Sequence, residues 1–319
     1  MLFILMPFVC MGIGLLIGFR PLPPKIYMAF SWVTNIALAL LMVTIGGNVG
    51  TNKDIISQLG IVGLNCVVTC LFAVMGSVAV CLLIEKTVLP LDRYLKLQLD
   101  DANAVAMDSD EGQGKKKGID PILVMIPVCL FAGAFGCYLF LPDDKTGVLT
   151  WSLWISLIIL YISVGIGMGE NKSVFSYMKM VGARVMYLVA GVLIGGMAGG
   201  ALSTLITGMP LRYAVISASG SGYYSVTGAV MLQQFGAEAG VYGFMVNVFR
   251  DFFTVLLLPV LTKIGKSAPI ASSGAGGMDS MLVPVTHALG RELGLVTLVV
   301  GMLLTFAVPI LLPLLCGLF

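Results

Sequence analysis

Two carboxylates, Asp251 and Asp279, sit in stretches almost free of other charge, "VYGFMVNVFRDFFTVLLLPVL" and "ASSGAGGMDSMLVPV". An acid in such surroundings costs at least about 2.5–3.5 kcal/mol on insertion scales, so it needs a partner or a task. The tasks that suit it are carrying a proton and neutralising a cation on its way through a medium of low dielectric. Asn247 and Arg250 share the first stretch with Asp251. Arg250 and Asp251 are adjacent, so on a helix they do not face each other and each must find its partner elsewhere. Hydroxyls and glycines accompany both acids: Ser219, Gly220, Ser221, Gly222, Tyr223 and Ser225 upstream of Asp251, and Ser273, Gly276 and Ser280 around Asp279. Hydroxyls and exposed helix ends are groups to which a small polar solute can bind.

Those small-residue clusters must be held by broken elements. The run "MPLRYAVISASGSGYYSVTGAVMLQQFGAEAG" is interrupted at its centre by Ser219-Gly220-Ser221-Gly222, and "SAPIASSGAGGMDSMLVPVTHALG" has the same build around Gly274, Gly276 and Gly277. The flanks of each are too short for two full spans. Both read as re-entrant hairpins or broken helices, and such backbone survives at membrane depth only where protein or a wet cavity satisfies its N–H and C=O groups.

The rest of the chain supplies the membrane. Of its 319 residues 58% are apolar and 11% charged, far from the roughly 25% charge of soluble domains. Apolar stretches near the spanning length of about 20 residues recur throughout. They predict spans at about 2–19, 27–49, 59–84, 121–141, 148–168 and 182–207, and then at about 239–262 and 293–318 on either side of the second hairpin. The first stretch lacks a basic start and is longer than a signal core, so it reads as a span. The expected fold is therefore an all-α polytopic membrane protein of about eight transmembrane helices.

Sliding the chain by 119 positions lays "SWVTNIALALLMVTIGGNVGTNK" over "TWSLWISLIILYISVGIGMGENK", pairing Trp32 with Trp151, Gly46 with Gly165, Gly50 with Gly169 and Gly76 with Gly195. Each copy holds three spans, an odd number, so the second enters from the opposite face: an inverted repeat, a common transporter plan. The expected organisation is a first three-helix repeat at 1–84, a polar linker at 85–120, a second repeat at 121–208 and a transport-site region with two opposed hairpins at 209–319. Eleven Lys and Arg fall on the face carrying the linker, against three (Lys53, Lys145, Arg212) on the other. By the positive-inside rule the linker is cytoplasmic and both termini lie outside, in a protein of the cell's inner membrane.

Seven cysteines form no CxxC pair and all fall in apolar segments, and His287 has no companion, so neither a disulfide frame nor a metal site is indicated. No cofactor and no nucleic acid is expected. The intended partners are the lipid bilayer, a small solute and a coupling cation.

The ordered set "SASGSGYYSVTGAVM", "NVFRDFFTVLLLP", "GAGGMDSMLVPV" and "FAVPILLPLL" resembles the prokaryotic lysine exporter family, LysO, most densely over about 210–319. The resemblance implies export of L-lysine and close cationic analogues, coupled to inward flow of a cation, by membrane-embedded carboxylates at the positions of Asp251 and Asp279. This chain departs from the family in carrying Asp251 where Glu can stand, and in its long polar linker. Two other readings stay open. A transporter of another solute, such as an organic anion, gains ground if Arg250 faces the cavity; an intramembrane enzyme is opposed by the lack of a G-x-G immediately before any aspartate.

Overall fold

The computed structural model describes residues 2–19, 24–51, 59–89, 91, 128–129, 132–137, 139, 146–170 and 182–319. Their principal helices are α1 (Leu2–Gly18), α2 (Pro24–Gly50), α3 (Leu59–Thr87), α4 (Thr146–Glu170), α5 (Val185–Thr207), α6 (Leu211–Ser219), α7 (Tyr224–Phe235), α8 (Ala237–Ile264), α9 (Ser267–Ser273), a 3-10 turn at Gly274–Met278, α10 (Leu282–Leu289) and α11 (Arg291–Leu318). No strand occurs among the described residues.

Five of these helices, α3, α4, α5, α8 and α11, contain stretches long and apolar enough to cross a membrane; α1 and α2 contain shorter apolar runs, Met6–Gly18 and Trp32–Asn48. The expected span at 121–141 lies mostly outside the described residues, as does the linker from 92 to 120. α3 runs on to Thr87, so Glu85, assigned from sequence to the linker, belongs to the helix. Large apolar side chains cover the outside of the bundle, with Trp32 67% and Trp151 73% exposed. Water would not tolerate that surface; hydrocarbon does.

Glycines decide how the helices cross. A side chain at Gly76 would collide with the carbonyl of Gly195, and one at Gly195 with the carbonyl of Gly76, so the α3 and α5 backbones touch directly. Gly14 of α1 lies in the same way on Ile162 of α4, and Gly133 lies on Val43 of α2. A shift of 119 positions turns the first of these pairs into the second. Small residues at helix crossings are the normal means of close packing in membranes, where lipid offers no hydrophobic drive between helices.

The C-terminal third is built differently. α6 and α7 have 9 and 12 residues, and α9 and α10 have 7 and 8, all well below spanning length. Each pair is joined through its glycine-rich centre. The expected breaks at 219–222 and 274–277 are thus where the helices stop. α8 lies beside α6, α7, α9 and α10, and α11 closes over the 3-10 turn. At the far end of the first broken pair, the Arg212 guanidinium sits 5.1 Å from the Tyr213 ring and 5.4 Å from the Phe235 ring, fastening α6 to the end of α7.

Candidate functional site

The site forms where the two breaks meet. Ser221 has φ +49°, and Gly222 follows at φ +96°. A non-glycine residue in the left-handed region costs about 1–2 kcal/mol. The strain is held by the opposite break, because the Ser221 carbonyl accepts the Ala275 N–H at 2.8 Å. Gly274, at φ +55°, has no room for a side chain against that same carbonyl.

Asn247 shapes the first break from α8. Its Oδ1 accepts the Gly222 N–H at 2.7 Å, while its Nδ2 donates to the carbonyls of Ser217 at 2.9 Å and Gly243 at 2.8 Å. With its amide so committed, Asn247 builds the site rather than meeting a ligand. A side chain at Gly220 would strike Thr227 and come within 2.7 Å of Asn247 Nδ2.

Arg250 holds the second break. The fully buried guanidinium donates from Nε to the Ser272 carbonyl at 3.0 Å and from Nη2 to the Ala271 carbonyl at 2.9 Å and Ser77 Oγ at 3.2 Å. It thus caps the C-terminal end of α9 and ties it to α3. The unsatisfied carbonyls of a helix end are where a cation is best placed. The expectation that Arg250 finds its partner away from Asp251 holds, though the partners are main-chain carbonyls and a hydroxyl, not an acid. Thr254, one turn further on, donates to the Arg250 carbonyl at 2.7 Å and packs its hydroxyl 2.7 Å from Ser272 Oγ.

Asp251 points the other way. Its Oδ2 accepts the Ser280 hydroxyl at 2.9 Å, and its Oδ1 is buried with no hydrogen-bond partner. A side chain on Gly222 would lie 3.5 Å from that Oδ1, 3.6 Å from the Ser273 carbonyl oxygen and 3.6 Å from the Gly276 N–H nitrogen. A carboxylate, a carbonyl and an N–H therefore converge on one small space beside Gly222. Ser221 Oγ is a second buried oxygen with no partner. Gly276 keeps the space open, since a Cβ there would stand 2.9 Å from Asp251 Oδ1 and 3.0 Å from Ser280 Oγ.

Asp279 follows the 3-10 turn and is exposed, with its Oδ1 accepting the Ser280 N–H. It lies within electrostatic range of both Asp251 and Tyr223. Ser280 thus touches both acids. Of the other hydroxyls predicted for the site, two are turned to their own helices: Ser219 Oγ donates to Ile216 O at 2.7 Å and Ser273 Oγ to Ile270 O at 2.8 Å, while Ser225 is buried on α7 and Tyr223 is half-buried just before it. What sequence reasoning missed lies on α3. Ser77 accepts a hydrogen bond from Arg250, and Glu85 reaches the second broken segment directly; only their polarity in an apolar helix marked them. No group of three or more potential metal-ligating side chains forms among the described residues.

A family model described as "Lysine exporter LysO" matches residues 8–99 and 127–316. The chain belongs to this family. The unmatched stretch between those segments falls largely in the polar linker. "Lysine exporter LysO" of Escherichia coli (strain K12) is 28% identical over 156 residues, covering 49% of this chain and 52% of that protein. "Putative lysine exporter" of Haemophilus influenzae (strain ATCC 51907 / DSM 11121 / KW20 / Rd) is 24% identical over 156 residues, 49% of this chain and 80% of the relative. The match thus spans about half the length of the Escherichia coli relative. Both relatives are named as exporters, that is, as transporters and not enzymes. No solved structure matches the chain.

Proposed function

We propose that the chain is a secondary transporter that exports L-lysine and close cationic analogues across the cytoplasmic membrane in exchange for protons. The observation that carries this reading is the buried Asp251 carboxylate, anchored through one oxygen by Ser280 and offering the other, without a partner, to the space between the two breaks. A buried carboxylate is stable only when a proton or a cation accompanies it. Arg250 is spent on α9, so an external cation is needed. The Ser273 carbonyl beside Oδ1 suits an ammonium, and the Gly276 N–H suits a substrate carboxylate. Asp279, the exposed acid, is placed to receive the cation from water and share it with Asp251.

On this reading the two broken segments are hairpins re-entering from opposite faces, and the helices before residue 208 are an inverted pair of three-helix units within an eight-span protein whose termini lie outside. The pairing of Gly14 with Ile162 and of Gly133 with Val43, related by the 119-position shift, supports that plan, as does the meeting of Gly76 with its counterpart Gly195. The organic-anion reading loses its support because Arg250 faces carbonyls rather than the space beside Gly222.

The test is uptake of labelled lysine into inside-out vesicles with and without an imposed pH gradient. Gradient-dependent uptake that disappears with Asp251→Asn is expected. Uptake of lysine indifferent to both the gradient and the substitution would overturn the proposal.

A further inference from the structure

α9 is tied to α3 at both ends, at one end through Arg250 of α8 and at the other directly, and the two fastenings are unequal. At its C-terminal end, Arg250 bridges the Ala271 and Ser272 carbonyls to Ser77 of α3 in a fully buried cluster. At its N-terminal end, Glu85 of α3 accepts the Ser267 N–H at 2.9 Å and the Lys266 N–H at 3.4 Å, and also takes the Ser267 hydroxyl. Glu85 is only half-buried, so water competes for these bonds as it cannot for those of Arg250. Glycine stands on either side of α9: Gly265, whose hydrogen faces Leu82 and Glu85 where a side chain would not fit, and Gly274 in the left-handed region. A short helix with a strong inner anchor, a weaker outer fastening and glycine at both ends is free to tilt about the anchored end once the outer fastening is released. The Ser273 carbonyl, at that end, lines the space beside Asp251.

We infer that Glu85 is a positioning residue for the transport site: by latching the N-terminal end of α9 against α3 it fixes the tilt of α9 about its anchored end, and with it the direction in which the Ser273 carbonyl faces the space beside Asp251. This rests on the transport reading of the site, but its structural half stands independently. Sequence assigned Glu85 to the linker, and nothing in the site's own chemistry requires an acid there.

The test uses the full chain in a cysteine-free background carrying Ala268→Cys, at a position that is fully buried on α9. Modification by N-ethylmaleimide should be slow in that parent, at least about tenfold faster with Glu85→Ala, and slow again with Glu85→Gln, which keeps an acceptor oxygen. Ser267→Ala, which removes the hydroxyl contact alone, should fall between, and adding it to Glu85→Ala should change nothing further. Lysine export should run in the reverse order, fastest in the parent and Glu85→Gln. Modification at the parent rate in Glu85→Ala and Ser267→Ala alike overturns the latch. If the modification rates shift as stated while none of the proteins moves lysine, the latch stands and the lysine reading fails.

Discussion

Ser221 and Ala275 are joined carbonyl to amide at 2.8 Å, and through this one hydrogen bond the two broken segments hold each other's tips. Neither tip can be shifted without releasing the other. The space beside Asp251 therefore has a defined shape even though its walls are not helical.

That shape makes Ser221 informative. Ser221→Gly relieves the left-handed strain and should raise unfolding stability by up to about 1 kcal/mol. It also deletes the unpartnered Oγ, so lysine export should fall although the protein is sturdier. Thermal unfolding in detergent and transport, measured on the same preparation, check the opposite signs; export kept at the unmodified rate would show that Oγ has no part in the site.

For the acids, Asp251→Asn and Asp279→Asn should each lower export to background at normal membrane abundance. Asp251→Glu, which keeps the carboxylate on a longer arm, should retain part of it. Ser280→Ala removes the hydroxyl that Asp251 Oδ2 accepts, a charge-assisted bond worth about 1.5–3 kcal/mol, and should cost on the order of tenfold or more in transport. Immunoblot abundance beside transport rate separates these from folding defects.

Gly276→Ala should abolish transport by placing a methyl 2.9 Å from Asp251 Oδ1, whereas Gly12→Ala, with nothing within 4 Å, should leave transport and abundance unchanged. Gly220→Val should also lose transport, since the new side chain meets Thr227 and Asn247. Equal activity in Gly276→Ala and Gly12→Ala would mean that the space is not occupied during transport.

Arg250→Met should behave as a stability variant. It strands the buried Ala271 carbonyl, worth about 1–3 kcal/mol when unsatisfied, and leaves the Ser272 carbonyl to Thr254 alone, so lost protein rather than lost affinity is the expected result. Normal abundance with a switch of preference toward anionic solutes would instead place Arg250 in the cavity.

The broken segments were legible in sequence because glycine and serine clusters at 219–222 and 273–277 interrupt runs too short to span, and the helices stop there. Asp251 and Asp279 were legible because charge in an apolar run is costly. The roles of Asn247 and Arg250 were not. Both were marked as polar groups at membrane depth, but that they serve main-chain groups of the breaks depends on which carbonyls the tertiary packing leaves unsatisfied, and sequence spacing carries no trace of it. Glu85 was hidden for the same reason: a helix end next to a charged stretch looks like the start of the linker until α9 is seen docked on it. Ser219 and Ser273 were drawn in by composition and turn out to bond their own helices, as serines near helix ends commonly do.

The contact of Gly76 with Gly195 has a mechanical consequence. Two main chains that abut without side chains between them cannot slide along each other, because every residue of travel would drive a Cβ into a carbonyl. α3 and α5 therefore act as one chassis. On the proposed transport reading, rearrangement takes place against that frame, in the short segments α6, α7, α9 and α10, which it carries like levers on a fixed axle.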